Sequence, residues 1–289
     1  MSLLLDNGAD PNVPDNFGTT PLHFAVTGGK TDLVRLLLSH AADPNIAAVR
    51  PDITCHPLHA TCRNLKEPIH YEVVKLLLEY NADVNVRAEF DESALHYAVS
   101  RYSTGNDKRS ELVHLLVDAG ADVNAASEKR GTPLYIACSN GFESSVQNVK
   151  LVDMLLKHGA DPNLASPSSR LHSTHDPLCV AVKNVSGYRP NQSTEEMGHK
   201  LSTVRLLLQN GAYVNMLMPF GRSLLYLTVT ALGKAGVWRD WRHEYSVNQL
   251  LKLMVKHGAQ LDDSCCQLGD DVDDYPQAAN SWTLQAGFG

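Results

Sequence analysis

Apolar residues recur along this chain in short leucine-rich blocks, and each block runs into a polar turn of nearly constant wording. The copies read LLLDNGADPN (residues 3–12), LLLSHAADPN (36–45), LLLEYNADVN (76–85), LLVDAGADVN (115–124) and MLLKHGADPN (154–163). Two worn copies follow, LLLQNGAYVN (206–215) and LMVKHGAQLD (253–262). Leucines spaced this way predict the buried stripe of a helix, and the turn after them predicts its end. A recurring unit of this length predicts a stack of like units in place of one closed core.

A second phrase sits between the copies. It reads TPLHFAV (20–26), HPLHATC (56–62), SALHYAV (93–99), TPLYIAC (132–138), DPLCVAV (176–182) and SLLYLTV (223–229). Thr20, Ser93, Thr132, Asp176 and Ser223 can accept hydrogen bonds from the free amides of a helix start. Pro21, Pro57, Pro133 and Pro177 then take the first helical position, where no donor is missed. Leu22, Leu58, Leu95, Leu134, Leu178 and Leu225 open the buried stripe. At the opposite end, Gly8, Gly120, Gly159, Gly211 and Gly258 suit the left-handed conformation that stops a helix, and Asn81 substitutes there. Ala41 fills the same position and should cost about 1 kcal/mol if it adopts that geometry.

Together the two phrases closely resemble the ankyrin repeat, whose units run turn, helix, helix and hairpin finger. The resemblance extends from about residue 3 to residue 262. It implies an all-α ankyrin-repeat solenoid with short hairpin fingers: a leading half repeat (1–12), six repeats (13–262) and a tail (263–289). The chain opens on the second helix of a repeat, which reads as a chain cut short at its N-terminus.

Departures from a regular period are the local clue to specificity. The interval between equivalent Asn or Asp positions runs 33, 40, 39, 39, 52 and 47 residues. The first complete repeat has no insertion between its helices, and the next five gain 4, 6, 6, 14 and 14 residues there. Two fingers are lengthened, by 3 residues before Leu58 and by 5 before Leu178. Insertions in such stacks fall on one face and often serve binding. The fifth insertion, residues 183–200, is polar and predicts a mobile loop; it holds two glycosylation-type triplets at Asn184 and Asn191. The sixth, residues 233–245, sets Trp238 and Trp241 beside Arg239 and Arg242. Those residue types anchor protein interfaces, although large aromatics also serve as local cover for the last repeats.

Composition narrows the function classes. The net charge is −7 with Lys and Arg dispersed, which does not suit a nucleic-acid groove. No apolar stretch is long enough to cross a membrane, and no secretory signal opens the chain. Six cysteines without a disulfide framework suit the cytoplasm or nucleus. Residues 263–289 are acidic around Asp270–Asp274 and show no period, predicting a disordered tail. Cys55, His56, His59 and Cys62 have helix-like spacing but are accounted for by the repeat phrase, so no metal site is assigned. No phosphate loop, nucleophile elbow or HExxH pattern is present. No catalytic residue and no cofactor is therefore assigned.

The resemblance implies that a protein partner meets the finger tips and the exposed side of the first helices. Carried onto this chain, the finger candidates are Asp15, Phe17, Arg50, Glu89, Phe90, Lys129, Arg130, Met218 and Phe220. The first-helix candidates are Phe24, Tyr97, Ile136 and Leu227. Phe17 and Phe90 could instead pack against adjacent fingers. Asn45, Asn85 and Asn124 resemble acceptors for asparaginyl hydroxylation, while the plainer role of Asn there is ordering the turn. The leading expectation is a monomeric, non-enzymatic scaffold, adaptor or inhibitor that binds protein. One alternative is the substrate-recognition subunit of a cullin ubiquitin ligase, but the Leu-then-Cys helical box that would dock on elongin is not found in residues 263–289. Another is an accessory repeat domain of a larger enzyme.

Overall fold

The computed structural model describes residues 1–50, 53–63, 69–100, 108–139, 146–164, 176–187, 192–216, 223–238 and 241–260. It contains two compact units, the first built on residues 1–136 and the second on the described residues from 137 onward.

In the first unit the predicted helix pairs are present. They are α1 (Ser2–Asp6), then α2 (Pro21–Thr27) with α3 (Thr31–Ser39), α4 (Pro57–Arg63) with α5 (Ile69–Glu79), and α6 (Ala94–Ser100) with α7 (Lys108–Asp118). The first helices α2, α4 and α6 stack on one another, and the second helices α3, α5 and α7 do likewise. Each repeat thus lends one leucine layer to a shared core: Leu22, Leu58 and Leu95 from the first helices, and Leu37, Leu77 and Leu116 from the second, all at most 1% exposed. Between the pairs, an asparagine side chain bridges forward to the next repeat. Asn45 Nδ2 donates to the Asn81 carbonyl at 3.1 Å while its Oδ1 accepts the Asp83 amide at 2.8 Å. Asn85 repeats this with the Gly120 carbonyl and the Asp122 amide. Both turn amides and carbonyls are thereby satisfied without a sheet.

The fingers are not uniform hairpins. Among the described residues a ladder forms in the finger lengthened before Leu58: β1 (Ala48–Arg50) pairs antiparallel with β2 (Ile53–Cys55), with Val49 opposite Thr54. The next finger is a 3-10 turn at Glu89–Asp91, and the one after closes on a single bridge between Ser127 and Gly131. The shorter fingers have too few residues for a register of three pairs.

The second unit takes in the end of α8 (Pro133–Ser139), whose first residues belong to the first unit, then α9 (Val146–Lys157), α10 (Pro177–Ser186), α11 (Thr194–Gln209), α12 (Leu224–Trp238) and α13 (Trp241–Lys256). Here the structure corrects the expectation of a mobile loop at residues 183–200 for residues 183–187 and 192–200, the part of it that is described. Residues 183–186 lengthen α10, and residues 194–200 form the first turns of α11, a helix of 16 residues against 9 in α3. The reason is local. Ser193 caps α11 by accepting the Glu196 amide at 3.1 Å, Glu195 and Glu196 face the positive end of the helix, and Met197 is buried. Asn184 of the first glycosylation-type triplet donates to the Cys138 carbonyl at 2.9 Å. Residues 233–238 and 241–245 of the sixth insertion are likewise helical, in α12 and α13, which run to 15 and 16 residues.

The helix stops follow the predicted rule. Gly8, Gly120, Gly159, Gly211 and Gly258 all have φ between 85° and 89°, and Asn81 has 62°. A Cβ added at Gly120 would meet nothing within 4 Å, so the requirement is conformational and not one of crowding. Ala41 sits at φ 65° and carries the strain that the glycines avoid. Ala41→Gly is therefore expected to raise stability by about 1 kcal/mol, read as an upward shift of the denaturant midpoint at constant slope. An unchanged midpoint would mean that the neighbouring turns absorb the strain.

Candidate functional site

The predicted contact residues of the first unit fall on four successive fingers and the first helices behind them. At the first finger, the Asp15 carboxylate accepts the amides of Phe17 and Thr19 at 2.9 and 2.8 Å. Its charge is thus spent on ordering the turn, and the turn throws Phe17 outward, 51% exposed. The Phe17 carbonyl accepts the Val49 amide at 3.0 Å, tying the first finger to β1. Val49 is itself 62% exposed, and Phe24, on α2, is 59% exposed. The side chain of Arg50 lies outside the described residues.

The third finger is strained. Phe90 and Asp91 both adopt left-handed backbone, at φ 59° and 58°, a conformation that costs a residue with a Cβ on the order of 1 kcal/mol and persists only where the surroundings hold it. What holds it is the following finger. The Phe90 carbonyl accepts the Glu128 amide at 3.0 Å and the Ser127 hydroxyl at 3.1 Å. The same hydroxyl oxygen accepts the Lys129 and Arg130 amides at 3.3 and 3.2 Å. Buried Ser127 therefore sets Phe90, Lys129 and Arg130 together. Lys129 Nζ stands 4.7 Å from the Phe90 ring centroid, within cation–π range. Glu89, at the start of the turn, is half-buried.

Behind this tip lies a charged cluster. Arg130 Nε is 2.8 Å from Oε1 of Glu92, whose side chain is 5% exposed. The Arg130 guanidinium also lies 5.9 Å from the Tyr97 ring, and Tyr97 in turn meets the His59 ring at 5.8 Å. Burial, followed by the hydrogen bond to Glu92, pushes the Tyr97 hydroxyl well above its ordinary pKa, so it stays protonated. Sequence reasoning missed Glu92, Ser127 and Val49. The available signal at Glu92 was a carboxylate directly before the cap position, where other repeats carry Thr19, Cys55 and Gly131.

Other predicted residues are placed differently. Ile136 is 5% exposed and closed to a partner, which corrects its assignment to the exposed side of a first helix: it belongs to the packed stripe of α8. Leu227, on α12, is half-buried. Met218, Phe220 and the side chain of Trp238 lie outside the described residues, as do residues 263–289. Trp241 opens α13 at 64% exposure with the Arg242 guanidinium 5.6 Å from its ring. Asn45 and Asn85 use both groups of their side-chain amides on the inter-repeat bridge already described; the Asn124 backbone N–H donates to Asp122 Oδ1 at 2.9 Å. In the CHPLHATC segment, burial pushes the Cys62 thiol up to about 12 and the His59 imidazole down to about 3. A protonated thiol on a fully buried side chain is a packing group, not a ligand. No group of three or more potential ligands capable of holding a metal is found among the described residues.

Two solved structures share the fold. An ankyrin repeat domain from Acinetobacter baumannii AYE aligns with a TM-score of 0.61 at 20% identity, covering 83% of this chain and 98% of that one. The ankyrin repeat domain of Bcl-3 aligns with a TM-score of 0.57 at 24% identity, covering 85% and 89%. Among curated sequences, the transient receptor potential channel pyrexia of Drosophila melanogaster is 37% identical over 99 residues, 34% of this chain and 10% of that protein. Neurogenic locus notch homolog protein 1 of Xenopus tropicalis is 38% identical over 97 residues, 34% of this chain and 4% of that protein. The chain thus spans a tenth or less of those two relatives. No described helix is long and apolar enough to cross a membrane. Ankyrin repeats are protein-interaction modules. The family described as ankyrin repeats (3 copies) matches residues 1–88, 70–166 and 95–218, and the chain belongs to that family.

Proposed function

We propose that this chain is a non-enzymatic binding module whose protein partner docks on the fingers and first helices of residues 1–136, in the manner of a scaffold, adaptor or inhibitor. The observation that carries the reading is Phe90. An aromatic ring is kept 42% exposed on strained backbone, with hydrogen bonds from the next finger holding it there. Strain retained to present a side chain to water does not serve packing. Phe17 and Phe24 extend the apolar surface, while Lys129, Arg130 and Tyr97 border it with polar groups. An apolar centre with a polar border is the usual anatomy of a protein interface. Because the fingers are cross-tied by Val49–Phe17 and Ser127–Phe90 hydrogen bonds, little conformational entropy is lost on docking.

The test is a double substitution, Phe17→Ala with Phe90→Ala, used in parallel with the unchanged chain for affinity capture and quantitative mass spectrometry. Recovery of the specific partner is expected to fall at least about tenfold, as for loss of interface anchors, with the thermal transition within a few degrees of the parent. Undiminished recovery would sink this reading. A large fall in the thermal transition would reassign both rings to finger packing.

A further inference from the structure

Helix α13 turns His243, Ser246, Val247, Leu250, Leu251 and Met254 inward. Its outward face mixes charged residues with two exposed aromatic rings and Val255. Trp241 and Tyr245 are 64% and 60% exposed, and Lys252 and Lys256 are exposed beyond them. These four stand at i, i+4, i+11 and i+15. At about 3.6 residues per turn that spacing aligns them in one stripe, aromatic at the N-terminal half and cationic at the C-terminal half. Arg242 and Glu244 are exposed at the two margins of the stripe. Lys252 and Lys256 form no ion pair among the described residues.

The chain supplies its own complement to this stripe. Residues 261–289 hold Asp262, Asp263, Asp270, Asp271, Asp273 and Asp274 and no Lys, Arg or Glu. They therefore carry −6 of the total charge of −7, leaving −1 for residues 1–260. This segment begins five residues after Lys256 in the sequence, following the cationic half of the stripe. The fifteen residues from Trp241 to Lys256 span about 22 Å of helix axis. An extended chain covers that distance in about seven residues, so Asp270–Asp274 reach any point along α13.

We propose that the outward face of α13 is a docking surface for the chain's own acidic segment, with Asp270, Asp271, Asp273 and Asp274 lying against Lys252, Lys256 and Arg242 and the segment shielding Trp241 and Tyr245. Each pair is exposed and weak on its own, but tethering keeps the local concentration of the segment high. The contact is electrostatic and opens as salt rises. An outside partner for the aromatic end of α13 has to displace it. The proposal rests on residues of α13 and not on those of the fingers, so either reading can fail without the other.

The test uses the full chain at low salt with a zero-length carbodiimide, which joins a lysine amine to a carboxylate in contact with it. Expected are links in the monomer fraction from Asp270–Asp274 to Lys252 or Lys256, falling several-fold in 0.5 M NaCl. Links from those aspartates only to other lysines, or only between two chains, overturn the proposal. A second measurement leaves Trp241 as the sole tryptophan, through Trp238→Phe and Trp282→Phe, and follows quenching by neutral acrylamide. Changing all four aspartates to Asn is expected to raise the quenching constant and to abolish its dependence on salt. Equal quenching with and without the four carboxylates at low salt also overturns it.

Discussion

Acidification from pH 7 to pH 5 is expected to remove on the order of 3 kcal/mol of stability through His59 and His96 together. Burial is the main cause in both cases. It holds His59 at about 3, with the neighbouring His56 adding to the depression, and His96 at about 4, against an ordinary 6.5. The hydrogen bonds of His96 state the same requirement in geometry. Its Nδ1 accepts the Ser93 amide at 3.0 Å, so the ring proton is on Nε2, which donates to the Gly131 carbonyl at 2.9 Å. A second proton on Nδ1 would face the amide donor.

The sign follows from the depressed values. The folded chain keeps both rings neutral below pH 6.5 while the unfolded chain takes up protons there. This stabilisation is full above the unfolded value and is lost as the pH falls toward 4 for His96 and toward 3 for His59. Asp176 works in the opposite sense. Burial, then the charge of Asp161, raises it to about 6, so its penalty is present at neutral pH and fades as the pH falls through 6. Asp176 is partly exposed, so solvent screening keeps that relief small. Denaturant titrations at pH 7 and pH 5, on the parent and on His59→Gln with His96→Gln, check this. The double variant is expected to be less stable at pH 7 and to lose most of the pH dependence. A parent whose stability is the same at both pH values would refute the assignment.

The second large effect compares two leucines that hold the same place in the repeated phrase. Leu37, the middle leucine of LLLS, is 0% exposed, while Leu4, the middle leucine of LLLD, is 61% exposed. Leu37→Ala is expected to cost about 3 kcal/mol, from lost transfer energy and the cavity left among α2, α3 and α5. Leu4→Ala is expected to cost about 0.5 kcal/mol or less, because its side chain is already in water. Urea titration of each variant against the parent decides. Similar losses for the two would mean that α1 is buried in solution.

These two experiments separate what was legible in the residues from what was not. The ends of the helices were readable because their causes are local. A Thr before Pro starts α2 and α8, and Gly120 or Asn81 stops a helix through its own φ, whatever lies around it. Ala41 could even be marked as strained from the repeat alone. The helical residues 194–200 read as loop in the sequence although a local signal is present. Ser193 and Glu196 form a capping pattern, but Thr, Gln and Glu around it reduce the hydrophobic period on which helix recognition depends.

The candidate site was less legible. Phe17, Phe24, Phe90, Lys129 and Arg130 could be named as residues that the repeat does not require. Nothing in the residue order says that Phe90 and Asp91 are held in left-handed backbone by Ser127, because that hydrogen bond joins fingers 37 residues apart. Nor does it separate Ile136, which is buried, from Phe24, which occupies the equivalent step on α2 and is exposed.

By itself, then, the sequence determined the unit, its caps and stops, and the leucine stripe of each helix, since these follow from propensities and periods within about ten residues. Only the tertiary structure decided which copy of a residue is covered. Burial of Glu92 beside Arg130, neutrality of His59 and His96, and the contrast between Leu4 and Leu37 all depend on what the neighbouring repeat places against them. Desolvation and cavity energies belong to that surrounding, and a repeated phrase reads the same whether or not a neighbour is there.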